Sequence, residues 1–248
     1  MSHAYDSKFM DYADVSSKHS AQTIAGWLMA KLKIGSVMDV GCAKGTWLNA
    51  WRELGATEIQ GVDGDYIRRQ DLLIAQECFV AHDLSKPLDL QRKFDLVQTL
   101  EVAEHINANA AGIFVENLVK HSRGLILFSA APPGQGGEFH INEQNYDYWR
   151  RIFAELSFEP YDCIRPVIAA DASISFWYRY NVFLYVHRDF ARELPKAIAD
   201  CKVPKDQPLK DISPAIFRLR KAVIRMLPAG VRDQLARLKA NFLPSGRW

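Results

Sequence analysis

The residues best placed to do chemistry are acids that follow short apolar runs. Asp39 lies near the end of SVMDVG (36–41), two residues before Gly41 in Asp39-Val40-Gly41-Cys42-Ala43-Lys44-Gly45. Asp63 ends TEIQGVD (57–63) and precedes Gly64; Asp83 ends ECFVAHD (77–83) and precedes Leu84. FDLVQTL (94–100) runs into Glu101-Val102-Ala103-Glu104-His105. A glycine-rich turn lets backbone approach a ligand closely. The spacing here is D-x-G-x-x-x-G rather than G-x-G-x-x-G, and a pyrophosphate is ill served by an adjacent aspartate. A ligand with a cationic amino-acid group is well served.

S-adenosylmethionine is such a ligand, with an α-ammonium, a sulfonium and no phosphate. Asp63 comes 24 positions after Asp39. A carboxylate there can accept both ribose hydroxyls, much as the acid about 20 residues past the turn does in dinucleotide sites. Asp83 can accept from the adenine amine.

These acids need a scaffold that brings strand ends together. Strands are expected at 36–41, 57–63, 77–83, 94–100, 124–130, 159–168 and 180–187, with helices at 17–32, 45–54, 111–121 and 143–155. Ser16 or Ser17 is a candidate cap for the first helix. Alternation of strands and helices implies parallel pairing with right-handed crossovers. The expected fold is α/β: a doubly wound, Rossmann-like, seven-stranded and mostly parallel sheet with helices on both faces. An N-terminal lid and helix (1–35) precede the main domain (36–187), and a basic helical tail (188–248) follows it. Ligands in such sheets bind beyond the carboxyl ends of the strands, where strand order reverses.

The words VMDVGCAKG, GVD, HDL and FDLVQTLEVAEHI, in that order, resemble class I S-adenosylmethionine-dependent methyltransferases over about residues 15–187. The resemblance implies a cofactor site of Asp39, Gly41, Cys42, Gly45, Asp63, Gly64, Asp83, Leu84 and Glu101. Ala43 stands where many members carry glycine. The loop 130–149, with GQGG, H-x-N and YW, and the later FWYRYNVFLYV (176–186) are similar to methyltransferases of bacterial polysaccharide and natural-product pathways. That resemblance implies a small-molecule or sugar acceptor. Tyr12, in a segment that folds over the cofactor in relatives, joins Asn142, Trp177 and Tyr178 as substrate residues.

His140 and His105 are the candidate catalytic bases, since an alcohol acceptor must lose a proton as it attacks and imidazole is the commonest base near neutral pH. E-x-x-E-H also offers a metal reading. If helical, its spacing puts Glu101, Glu104 and His105 on one face, with His140 as a fourth ligand for Mg²⁺, Mn²⁺ or Zn²⁺. Some ubiquinone-pathway and RNA 3′-end methyltransferases use a similar pattern, whereas many relatives carry Glu-His here with no metal.

Composition narrows the class. Of 248 residues, 48% are hydrophobic and 24% charged, as in a soluble globular protein. The four cysteines form no C-x-x-C pair, so neither a zinc knuckle nor a dithiol motif is expected. No apolar leader or membrane-length run is present, so a cytoplasmic setting is expected. Charge is uneven: residues 188–248 carry 14 Lys/Arg and 6 Asp/Glu, hence +8, against −6 for the rest (17 basic, 23 acidic). The tail's amphipathic pattern around Ile212, Ile216, Leu219, Val223, Ile224 and Leu227 suits packing, a homodimer contact or an anionic membrane surface. No nucleic-acid module is present. The leading function is methyl transfer to oxygen or nitrogen. The alternatives are a cyclase or lyase that consumes the same cofactor without moving a methyl group, and a non-enzymatic module that recruits a partner through its tail.

Overall fold

A computed structural model describes residues 7–227 and Val231, with side chains from Ser17 onward. The elements are α1 (Ser7–Met29), β1 (Ser36–Val40), α2 (Thr46–Glu53), β2 (Glu58–Asp63), β3 (Phe79–Ala81), β4 (Leu96–Leu100), α3 (Ala111–His121) and β5 (Leu125–Ser129). They continue with α4 (Tyr146–Glu155), β6 (Phe158–Tyr161), α5 (Arg165–Ile168), α6 (Phe176–Asn181), β7 (Phe183–His187), α7 (Lys196–Ala199) and α8 (Ala215–Arg225). The seven strands form one sheet in the order β3-β2-β1-β4-β5-β7-β6. β7 alone runs antiparallel to its neighbours β5 and β6. Strand order reverses between β1 and β4, so the crevice beyond their carboxyl ends is the expected ligand position.

Side-chain alternation along the strands divides the core in two. Val37, Leu96 and Leu100 join Ala21, Ile24, Ala25 and Leu28 of α1 with Leu48 and Trp51 of α2. Met38, Val40 and Val97 face the other way, onto Phe114 and Leu118 of α3 and Trp149 and Phe153 of α4. The apolar spacing i, i+3, i+4, i+7 in α1 explains why that stripe is wholly buried. Among the described residues no helix is long and apolar enough to cross a membrane.

Local chemistry moved several elements from their expected places. α1 begins at Ser7, so Ser17 is not its cap; its hydroxyl lies mid-helix, 3.0 Å from the Tyr178 hydroxyl. The segment 159–168 is extended only as far as Tyr161, because Pro166 opens the short helix α5. Aromatic-rich 176–181, expected to lead into or open the last strand, is helical: the Ser175 carbonyl accepts from the amides of Tyr178 and Arg179. Aromatic β-propensity yields there to tertiary context.

The division at 187 marks the end of the sheet but not of the packed body. The Val203 amide donates to the Pro160 carbonyl at 3.0 Å. Arg150 donates to the carbonyls of Val203, Pro204 and Gln207 at 3.0, 2.6 and 2.5 Å. Buried Arg165 pairs with both oxygens of Asp162 (2.8 and 2.6 Å) and donates to the carbonyls of Tyr180 and Lys210 (2.9 and 3.0 Å). Its guanidinium also lies over the Phe183 ring, 3.9 Å from the centroid. One side chain therefore ties β6, α6, β7 and the segment entering α8. Arg165→Met is expected to lower stability by about 3 kcal/mol or more, because it strands a carboxylate and two carbonyls. Chemical denaturation checks this; an unchanged midpoint contradicts it.

Candidate active site

The turn after β1 is built on left-handed backbone. Gly41 has φ 86° and Gly45 φ 87°, with Ala43 between them at φ 49°. A Cβ on Gly41 would lie 2.3 Å from Val102, so glycine lets the turn close onto the end of β4. Ala43 accepts its strained conformation because its amide donates to Asp63 at 2.7 Å.

Asp63 also accepts from the Gly64 amide at 2.7 Å and the Tyr66 hydroxyl at 2.5 Å. Burial pushes its carboxyl above the usual range, against these hydrogen bonds. Asp39 is buried beside Gln98, its register partner on β4, and Gln98 is held by the Trp51 indole at 2.7 Å. Burial, with the nearby Asp63 charge adding to it, pushes Asp39 up to about 7, against a lowering contact from Gln98. Cys42 is buried and its thiol is pushed well up by burial, which leaves it an inert wall of the turn.

Asp83 is placed differently from the other acids. It is exposed and caps its own turn, accepting from the Ser85 amide and hydroxyl at 3.0 and 2.6 Å. These bonds hold it below the usual carboxylate range. Leu84 beside it is half-buried against the α3 side of the core.

The E-x-x-E-H segment is not one helical face. Glu101 sits at φ 57° on the turn leaving β4, and only Ala103–His105 form a 3₁₀ turn. Glu101 is thereby left out of the cluster that Glu104 and His105 form with His140. Its oxygens accept from Gln135 at 2.6 Å and Asn181 at 3.2 Å, and Asn181 also donates to Gln135 at 2.7 Å. The Tyr146 hydroxyl completes the knot on Asn181 at 2.9 Å. Burial raises Glu101 against these contacts. A four-ligand set containing Glu101 is thus not assembled. Glu104, His105 and His140 do come together, each offering one ligand atom, all within 4.8 Å of one another.

His140 stands on a loop of small residues between β5 and α4. A Cβ on Gly137 would lie 2.1 Å from its Nε2, so that glycine makes room for the ring. Its Nδ1 is 3.0 Å from Glu143, which also accepts from the amides of Gly134 and Gly136 at 2.7 Å each. Burial works to raise Glu143, but these bonds hold it below the usual range. An ionised carboxylate only accepts, so it is Nδ1 that donates to Glu143.

Nε2 faces Glu104 Oε1 at 3.9 Å. Both side-chain oxygens of Glu104 are buried without a hydrogen-bond partner, and burial with the Glu101 charge pushes this acid well up. His105 packs edge-on to His140, with ring centroids 4.8 Å apart, and its Nδ1 lies 3.1 Å from the Phe139 carbonyl. Burial, helped by His140, lowers it to about 3, so it is neutral at pH 7.

A pocket of about 290 Å³ opens here, lined by Pro133, Gly134, Glu143, Gln144, Arg225 and the run His140–Asn142. Asn142 is buried in its wall, with Nδ2 unpartnered and Oδ1 taken by Gln144 at 3.0 Å. Tyr178 lies elsewhere: its hydroxyl is engaged by Ser17 and by the Trp47 indole at 3.4 Å, so it clamps α1 and α2 to α6. Trp177 packs partly buried on that same core. The Tyr12 side chain lies outside the described residues. Glu143, Gln135, Asn181 and Tyr66 were not singled out by sequence; only contacts across the fold mark them.

A methyltransferase-domain family model matches residues 14–159. The chain belongs to the methyltransferase-domain family. It is an S-adenosylmethionine-dependent methyltransferase. No curated protein matches it in sequence. Among solved structures it is similar to magnesium protoporphyrin IX methyltransferase from Synechocystis with bound S-adenosylhomocysteine (19% identity, 70% of this chain and 84% of that one, TM-score 0.52). It is also similar to the sugar N-methyltransferase KedS8 from Streptoalloteichus (13%, 76% and 95%, TM-score 0.56). A third is the amino pentose methyltransferase CalS10 from Micromonospora echinaspora, with S-adenosylmethionine bound (14%, 75% and 99%, TM-score 0.54). At these identities the likeness is one of fold.

The raised Asp39 gives a pH prediction. Unfolded, it ionises near 3.8; folded and unliganded, near about 7. Its contribution to stability is therefore full below the lower value and lost as pH rises toward the upper one. A cation seated beside it favours the ionised form. Binding of S-adenosylhomocysteine is thus expected to release protons and to tighten as pH rises through about 6 to 7. Calorimetry in buffers of different ionisation heat measures this. Proton release unaltered by Asp39→Asn would remove Asp39 from the ammonium site.

Proposed function

We propose that this methyltransferase moves its methyl group to an oxygen or nitrogen of a small molecule or sugar, with His140 as general base. The observation that carries this reading is the Glu143–His140 pair in the pocket wall. Glu143, anchored by two backbone amides, orients the ring and fixes its tautomer, as carboxylates do in His-based catalytic sites. The acceptor heteroatom attacks the methyl carbon. The carbon–sulfur bond breaks with its electron pair returning to sulfur, and the acceptor proton passes to His140 Nε2. His105, neutral and edge-on, limits the swing of that ring. Asn142 Nδ2, a buried donor with no partner, is suited to an acceptor hydroxyl or carbonyl.

At the cofactor end, Asp39 and the turn Gly41–Gly45 take the amino-acid group, and Glu101 braces the acceptor loop from the end of β4. Asp63 and Gly64 take the ribose. Three hydrogen bonds already reach Asp63, so the Tyr66 hydroxyl gives way as the ribose arrives. Asp83 and Leu84 border the adenine. The amino-sugar methyltransferases sharing the fold make amino and hydroxy sugars the first acceptors to try. The basic helix α8 supplies a contact surface beside the pocket.

A second reading is favoured by Glu104, whose two buried carboxyl oxygens make no hydrogen bond, one of them standing 3.9 Å from the His140 imidazole. Glu104, His105 and His140 fit a divalent cation in donor type and spacing. Such an ion would supply Lewis-acid activation of an acceptor hydroxyl. Glu104 and the imidazoles would then hold it, and Glu143 would orient His140 as a ligand rather than as a base.

The test is incubation with S-adenosylmethionine alone and then with an acceptor panel, products read by mass spectrometry. Methylated product is expected only with acceptor; cofactor consumed without one would point to a lyase or cyclase. With a hydroxyl acceptor, His140→Ala should lower kcat by about 10²–10⁴-fold. Gly137→Ala should lower it in the same direction by displacing the ring, with S-adenosylhomocysteine affinity kept in both variants. Full kcat in His140→Ala rejects the base. Activity abolished by chelation and restored by Mg²⁺ or Mn²⁺ selects the metal reading, and indifference to chelation removes it.

A further inference from the structure

α8 has two faces with different surroundings. Its inner face meets the loop that carries His140. A Cβ on Gly134 would lie 2.2 Å from the Lys221 carbonyl, Ile224 lies over Gly136, and Phe217 packs on Phe176 and Tyr180. The Lys221 ammonium pairs with Asp211 at 2.5 Å. The helix therefore forms one wall of the pocket, to which it contributes Arg225. Its outer face carries an aliphatic stripe at i, i+3, i+7, i+10. Ile216 is 70% exposed, Leu219 62%, Val223 52% and Met226 85%. Exposed Ile141 lies in the pocket lining beside it.

Charge selects what covers this stripe. From 212 to 232 the chain has five Lys/Arg and no Asp/Glu. On a helical wheel Arg218 and Arg225, both exposed, flank the stripe on one side, while half-buried Arg220 turns toward Glu143. An apolar stripe bordered by exposed arginines is the pattern of a helix lying in a membrane interface, with the long basic chains reaching headgroups. A symmetric pairing of α8 with α8 would bring Arg218 and Arg225 of each copy against those of the other.

We propose that the outer face of α8 docks on an anionic lipid surface, so that the pocket it walls opens at the membrane and takes an acceptor presented there. The lipid contact stands on the stripe and its charges. The membrane-presented acceptor rests on the reading of this pocket as the acceptor site.

The test uses the full chain and vesicles of phosphatidylcholine, with and without phosphatidylglycerol. Co-sedimentation with the anionic vesicles only is expected, weakening with salt, since each Lys or Arg near such a surface strengthens binding about fivefold and is screened. Leu219→Asp with Val223→Asp should reduce vesicle binding at least tenfold while leaving S-adenosylhomocysteine affinity and turnover of a soluble acceptor unchanged. No binding to anionic vesicles, or binding indifferent to the double variant, overturns the lipid contact. A dimer in solution that the double variant dissociates, with no vesicle binding, assigns the stripe to a second copy instead. A lowered melting temperature in the double variant, with no vesicle binding by the parent, assigns it to the chain's own residues. Vesicle binding with no methylation of any acceptor leaves the lipid contact standing and removes the methyl-transfer reading of the pocket.

Discussion

Carboxyl groups buried at the carboxyl edge of the central strands are the constraint around which this protein is arranged. Asp39, Asp63, Glu101 and Glu104 lie at or just beyond the ends of β1, β2 and β4, and burial raises all four. A parallel sheet whose order reverses between β1 and β4 gathers these ends in one crevice. Removing acids from water is costly unless they are neutralised, hydrogen-bonded or paired with a cation. Asp63 and Glu101 are answered by protein donors. Asp39 lies beside Gln98, and burial prevails over that contact to push it up to about 7.

The acceptor side solves a different problem, that of holding a histidine at the surface of a loop. Gly134 and Gly136 adopt positive φ and turn their amides onto Glu143, while Gly137 leaves room for the ring. The loop is tied to the cofactor side through Gln135, Glu101 and Asn181. The end of β4 and the pocket loop therefore share one hydrogen-bonded frame, and a shift in either is felt by the other. Such preorganisation suits a reaction whose nucleophile, methyl carbon and leaving sulfur must be collinear.

α8 extends that frame outward. Its inner face is shaped to the glycine loop, so the segment outside the sheet is part of the pocket wall. Arg150 and Arg165 anchor the chain leading to it through backbone carbonyls, which makes its position depend on main-chain geometry more than on sequence-specific packing.

The strand–helix alternation, the D-x-G-x-x-x-G turn and the acids ending each strand were legible in the sequence because they depend on local rules: period-2 burial, glycine's left-handed freedom and the placement of ligands beyond strand ends. Asp39, Asp63 and His140 could be named on those grounds. Partnership was not legible. Nothing in the spacing shows that Glu101 stays out of the cluster of Glu104, His105 and His140, since a single positive φ breaks the expected helical face. Nothing local shows that Tyr178 is spent on Ser17 and Trp47, or that aromatic-rich 176–181 coils into a helix under the pull of its packing. Glu143 looked like one more loop acid until two amides and an imidazole converged on it. The basic periodicity of the tail was plain, but its place against Gly134 and Gly136 was decided by long-range packing. Sequence determines which groups can bond over a few residues; only the closed chain decides which of them meet.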